Sequence, residues 1–142
     1  MKLLIELIIL FILLGIIIAI SWIYRNPSEC TIDPVLERLR QDLIKVDPRA
    51  AKLQFFPSDE SYTEDKTKVF ICLKDEKGEY YPYNDLLAVV LHEGGHCFSA
   101  VIDKEHITPE FNGMHNALRK RATELGIFNP NNPVSPTYCP KK

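Results

Sequence analysis

The chain has 142 residues, with 17 Lys+Arg against 19 Asp+Glu and a formal net charge of −2. That leaves room for one domain and excludes the basic footprint of a nucleic-acid-binding surface. Its four cysteines, Cys30, Cys72, Cys97 and Cys139, are scattered without a CxxC pair, which excludes a cysteine-built zinc site.

The first element is apolar. Leu3 to Ile23 reads LLIELIILFILLGIIIAISWI, interrupted only by Glu6, Gly15 and Ser21. As a helix at ~1.5 Å per residue it covers roughly 30 Å, the thickness of a hydrocarbon core. Trp22, Tyr24 and Arg25 follow as interfacial anchors. Residues 1–25 are therefore expected to form one transmembrane helix that makes the protein a single-pass membrane protein. A cleaved signal peptide fits less well, because its apolar core would be shorter and followed by a small-residue cleavage site. Lys2 and Arg25 lie on opposite sides, so charge leaves the orientation open.

Residues 26–142 are the expected globular part. Setting aside Lys2, Arg25 and Glu6 leaves 15 basic against 18 acidic residues, a balance of −3 that argues against a nucleic-acid partner. Cys30 opens this part and Cys139 nearly closes it. The cysteines are either free or form two disulfides, and a bridge between those chain ends is one possibility on an oxidising side of a membrane.

Asn26-Pro27-Ser28 reads as a linker, after which Asp33 caps a helix with Pro34 as its first residue. Val35, Leu36, Leu39, Leu43 and Val46 form its apolar stripe, and Asp47-Pro48 ends it. Leu53–Phe56 reads as a short strand, Pro57–Lys66 as a loop and Lys68–Lys74 as the best strand, with its turn at Lys77-Gly78. Asn84 or Asp85 then caps a buried helix containing LLAVVLHEGGHCFSAVI. Thr108 and Pro109 start a further helix, whose stripe of Phe111, Met114, Leu118, Ala122 and Leu125 runs to a terminating Gly126. The tail from Asn129 carries Pro130, Pro133, Pro136 and Pro140 and is expected to be irregular. The fold class is α+β: helix, short sheet, buried helix and C-terminal helix.

Within the buried helix stands His92-Glu93-Gly94-Gly95-His96, an HExxH match. Histidines at i and i+4 share one helical face, so both imidazoles can reach one Zn2+ ion, with Glu93 as general base on an activated water. A buried charged trio among Leu86 to Leu91 needs partners or a metal. Zinc needs a third protein ligand, and His106, ten residues after His96 in a polar turn, is preferred over Glu110, His115 and Glu124. A ligand six residues after His96 would be Ile102, which excludes the metzincin spacing. Gly94 and Gly95 together cost the helix roughly 2 kcal/mol, and they are read as a flat place where another backbone or the substrate approaches.

The run ICLKDEKGEYYPYNDLLAVVLHEGGH, followed by His106-Ile107-Thr108-Pro109-Glu110-Phe111, resembles the SprT-like and WLM families of minimal zinc metallopeptidases over Val69 to Leu125. The resemblance implies a zincin-like core and zinc held by His92, His96 and His106. It also implies Glu93 as the base and peptidase activity, in some members against proteins crosslinked to DNA. Two features depart from the family: His106 stands one residue further from Phe111, and Gly94 replaces a large apolar residue. The expected function is a zinc-dependent, membrane-tethered peptidase acting on a peptide or protein substrate laid along the edge of strand Val69–Leu73. Tyr83, His115 and Tyr138 are the candidates for stabilising the oxyanion. The competing readings are a non-catalytic, zinc-stabilised binding module anchored to the membrane and a metal-free interaction protein. Oligomeric state is not legible.

Overall fold

Side-chain capping sets the starts of two α-helices and of a 3-10 turn. The computed structural model describes residues 1–25 and 32–139, the side chains at 2, 3, 7, 19, 20 and 22–25 excepted. The Asn26-Pro27-Ser28 linker and Cys30 lie outside the described residues. The chain divides into two compact units, Met1–Thr31 and Ile32–Lys142.

The first unit contains helix α1, Lys2–Arg25. Among the described residues no helix is long and apolar enough to cross a membrane. The expected transmembrane anchor over Leu3–Ile23, and the single-pass membrane localisation drawn from it, are corrected on that finding.

The second unit is α+β. Helix α2 spans Pro34–Val46, and the Asp33 carboxylate accepts from the amides of Val35 (2.9 Å) and Leu36 (3.2 Å). Asp47 ends α2 and caps a 3-10 turn, Pro48–Lys52, that the sequence reading did not anticipate. Strands β1 (Gln54–Pro57), β2 (Tyr62–Glu64) and β3 (Lys68–Ile71) form one sheet in the order β1-β3-β2. β3 pairs parallel with β1 and antiparallel with β2. Two expectations fall here. β2 arises inside the supposed loop Pro57–Lys66, and β3 is a central strand paired on both sides, so it has no free edge to offer a peptide.

Helix α3 covers Tyr83–Phe98, with Pro82 as N-cap and no side-chain cap. Asn84 and Asp85 do not cap it. The Asn84 amide donates to Asn129 O and its oxygen accepts from Asn129 N (2.9 Å), while buried Asp85 accepts from Ser135 N. Both side chains hold the tail. Helix α4, Pro109–Glu124, begins as expected with Thr108 accepting from Phe111 N (3.3 Å), and Gly126 follows it at φ +68. The tail lies along the unit, fixed by a Cys72–Cys139 disulfide and by the Tyr138 hydroxyl donating to Cys72 O (2.8 Å). Cys139 is thus paired with Cys72 and is not available to Cys30; Cys97 is free and buried.

Leu39 and Leu43 of α2, Val69 and Ile71 of β3, and Leu86, Leu87, Val90 and Leu91 of α3 are fully buried in one core. The glycine pair lets α3 enter it. A Cβ on Gly95 would lie 3.0 Å from Phe111 Cε2 and 3.5 Å from His115 Cα, so the backbone that approaches is α4. A Cβ on Gly94 would meet only leucine ends, Leu118 Cδ1 at 3.2 Å and Leu43 Cδ1 at 3.4 Å. These contacts separate two substitutions. Gly95→Ala should overpack against the ring and backbone of α4 and cost about 1–3 kcal/mol before the ~1 kcal/mol gain in helix propensity. Gly94→Ala displaces flexible methyl groups and should be close to neutral or stabilising. Thermal melting of the two full-length variants checks this, and equal melting temperatures would refute the close approach at Gly95.

Candidate metal centre

α3 presents His92 and His96 one turn apart, with ring centroids separated by 5.0 Å. His106 comes from the connection between α3 and α4. Buried Asp103 shapes that loop, accepting from Glu105 N (3.2 Å), Thr108 N (2.7 Å) and the Thr108 hydroxyl (2.7 Å). Burial alone would raise its pKa. The hydrogen bonds from Thr108, with the amides of Ile107 and Glu105, outweigh that and hold it at about 2. Lys66, from the β2–β3 turn, clasps the same loop by donating to Ser99 O (2.5 Å) and Val101 O (2.8 Å). His106 itself sits in the left-handed region, φ +59, which histidine enters more readily than most residues.

The result is convergence. His92, His96 and His106 each offer a ring nitrogen, and these atoms lie within 4.8 Å of one another. The Nε2 atoms of His96 and His106 are 2.9 Å apart. Phe111 stacks on His96 at 4.3 Å and meets His92 edge-on at 5.1 Å, backing the cluster from α4. Burial, then the nearby His115, His96 and His106, lowers the His92 pKa to about 4; burial and then His106 lower that of His96. Both rings are neutral at pH 7, with lone pairs free for a ligand.

This donor set fits a zinc ion. An ion ~2.0–2.1 Å from each nitrogen in tetrahedral geometry needs nitrogens about 3.3 Å apart, and the separations given above bracket that value. The rival third ligands are not drawn in. Glu110 is exposed, Glu124 lies 4.0 Å from Lys120 and Arg121 at the far end of α4, and His115 is outside the cluster. His115 packs 5.1 Å from the His92 ring, and its buried Nε2 has no partner among the described residues.

Glu93 lies beside the cluster and only 6% exposed. Its carboxylate accepts from the Thr63 hydroxyl of β2 at 2.8 Å. Burial pushes its pKa up to about 7, against the lowering effect of that hydrogen bond. A cleft of about 580 Å³ opens over His92, Glu93, His96 and His106, with Ser61–Lys66 on one wall and Val101–Lys104 on the other. None of the three oxyanion candidates lines it. Tyr83 donates to Asp42 (2.6 Å), which holds it at the start of α3, and Tyr138 is bonded to Cys72 O and Ser61.

The sequence reading missed Thr63 and Lys66. The alternation Ser61-Tyr62-Thr63-Glu64 was the available signal, but three strand residues followed by a turn without glycine resemble a loop. That turn places Asp65 and Lys66 at φ +51 and +57.

The chain is 36% identical over 92 residues to uncharacterized protein 136R of Invertebrate iridescent virus 6, covering 63% of this chain and 49% of that protein. It is 33% identical over 88 residues to uncharacterized protein 042R of Invertebrate iridescent virus 3, covering 61% and 54%. The chain thus spans about half the length of these relatives. No protein-family model and no solved structure matches it. The SprT-like and WLM resemblance accordingly stands on the residues of the motif alone.

The buried Glu93 carboxylate makes a pH-dependent prediction. Glu93 titrates near 4.5 when unfolded and near 7 when folded, so the native state binds the extra proton and loses stability as pH rises from 4.5 through 7. The full difference is about 3 kcal/mol. Glu93→Gln has no carboxylate to ionise, so with a chelator present it should melt higher than the unsubstituted protein at pH 8 and alike at pH 4. Equal melting at pH 8 would show that Glu93 is not buried as described.

Proposed function

We propose that this protein is a zinc-dependent peptidase of the HExxH type. One observation carries the reading: three imidazoles converge at the floor of an open cleft with a buried, proton-binding carboxylate, Glu93, beside them. A structural zinc site closes its coordination with protein ligands, whereas three ligands facing a cleft leave a position open. His92, His96 and His106 would hold the ion. When bound, zinc supplies Lewis acidity, which brings the ionisation of water into the neutral range.

The remaining work falls to the chain's own groups. Glu93, with a pKa near neutrality, takes the proton of the attacking water and passes it to the departing amine. The free edge of β2, on the cleft wall, hydrogen-bonds to an extended peptide and sets its register, the role β3 cannot take because both of its sides are paired. Asp103 and Lys66 hold the loop that carries His106.

The test uses the full-length protein. Unsubstituted protein should bind one zinc per chain, His106→Ala should lose most of it, and Glu124→Ala should retain it. Glu93→Gln should keep the zinc and lose roughly 10²-fold to 10⁴-fold in hydrolysis of a denatured protein such as casein. Zinc binding without cleavage of any peptide in a broad library would replace the peptidase by a zinc-stabilised binding module, and cleavage by Glu93→Gln at the unsubstituted rate would remove Glu93 from the mechanism.

A further inference from the structure

We infer that Thr63 is the positioning residue for the Glu93 carboxylate, so that the strand lining the cleft also aims the base. The inference rests on the peptidase reading above for its catalytic consequence, but its structural part stands on geometry. Glu93 is buried, and among the described residues Thr63 is its side-chain hydrogen-bond partner. Thr63 is itself held in place: it pairs with Val69 of the central strand, in the row that faces α3.

The hydroxyl has one proton and three neighbours. Its oxygen lies 2.8 Å from Glu93 Oε2, 3.3 Å from Glu93 O and 3.9 Å from the Cys97 thiol. The carboxylate is the nearest and the charged acceptor, so the proton goes there, and a lone pair of the hydroxyl is left for the thiol proton of Cys97. The direction is thereby set from Cys97 to Thr63 to Glu93.

A residue acting this way affects turnover and not capture of zinc or substrate. In zinc-loaded full-length protein, Thr63→Val should lower kcat about 10-fold with KM within twofold and zinc content unchanged, and Thr63→Ser, which restores the hydroxyl, should recover most of the rate. A second readout needs no activity. In chelator at pH 8, Thr63→Val should lower the melting temperature by about 5 °C when Glu93 is present and by much less in a Glu93→Leu background, where there is no carboxylate to hold. If the unsubstituted protein cleaves and Thr63→Val retains its full kcat, the inference is wrong while the peptidase reading stands. If the unsubstituted protein cleaves nothing, the peptidase reading fails and the melting comparison alone decides: an equal loss in both backgrounds overturns the role of Thr63, and a loss confined to the Glu93 background supports it.

Discussion

The close approach of α3 and α4 at Gly95 is the contact on which the rest of the site depends. Because Gly95 has no side chain, the Phe111 ring and the His115 backbone of α4 rest directly on α3. Phe111 is only 1% exposed, and burial of a side chain of that size contributes about 1.5–3 kcal/mol, enough to offset the roughly 2 kcal/mol that two glycines cost the helix. Seating Phe111 fixes the start of α4, and with it Thr108 and the loop braced by Asp103. His106 reaches His96 because both ends of that loop are anchored.

The same burial sets the ionisation of the site. Removing His92 and His96 from water holds them neutral, which is the state a metal ligand needs. Removing Glu93 from water raises its pKa toward neutrality, which is the state a general base needs. One physical cause, desolvation around the middle of α3, moves the two residue types in opposite directions because it penalises whichever form is charged. The fold tolerates this because the buried carboxylates have company, Thr63 for Glu93 and Thr108 for Asp103, while half-buried Lys66 donates to the backbone carbonyls of Ser99 and Val101.

Contributions to the site come from elements far apart in sequence. α3 supplies two imidazoles and the carboxylate, the following loop supplies the third imidazole, and β2 supplies a hydroxyl from thirty positions upstream of Glu93. The Tyr138 hydroxyl, tied by the Cys72–Cys139 disulfide to the sheet, bonds Ser61 at the start of β2 (2.9 Å), so the tail braces the strand that forms the cleft wall.

What was legible in the sequence was whatever neighbouring residues settle among themselves. Asp33 and Thr108 cap their helices through bonds to amides two or three positions on, and Gly126 ends α4 by taking a backbone angle other residues resist. The shared face of His92 and His96 follows from the helical repeat, and His106 from its proximity past the helix end. Other features were decided only in three dimensions. β2 is three residues long and exists because β3 lies beside it; β3 is central because β1 pairs on its other side; Cys139 meets Cys72 because the tail folds back across the unit. Asn84 and Asp85 looked like caps but hold the tail, since a short polar side chain serves whichever backbone group comes within reach. Local signals specify dihedral angles and helical faces, whereas strand pairing, cross-links and the partner of a buried carboxylate depend on residues that only packing brings together.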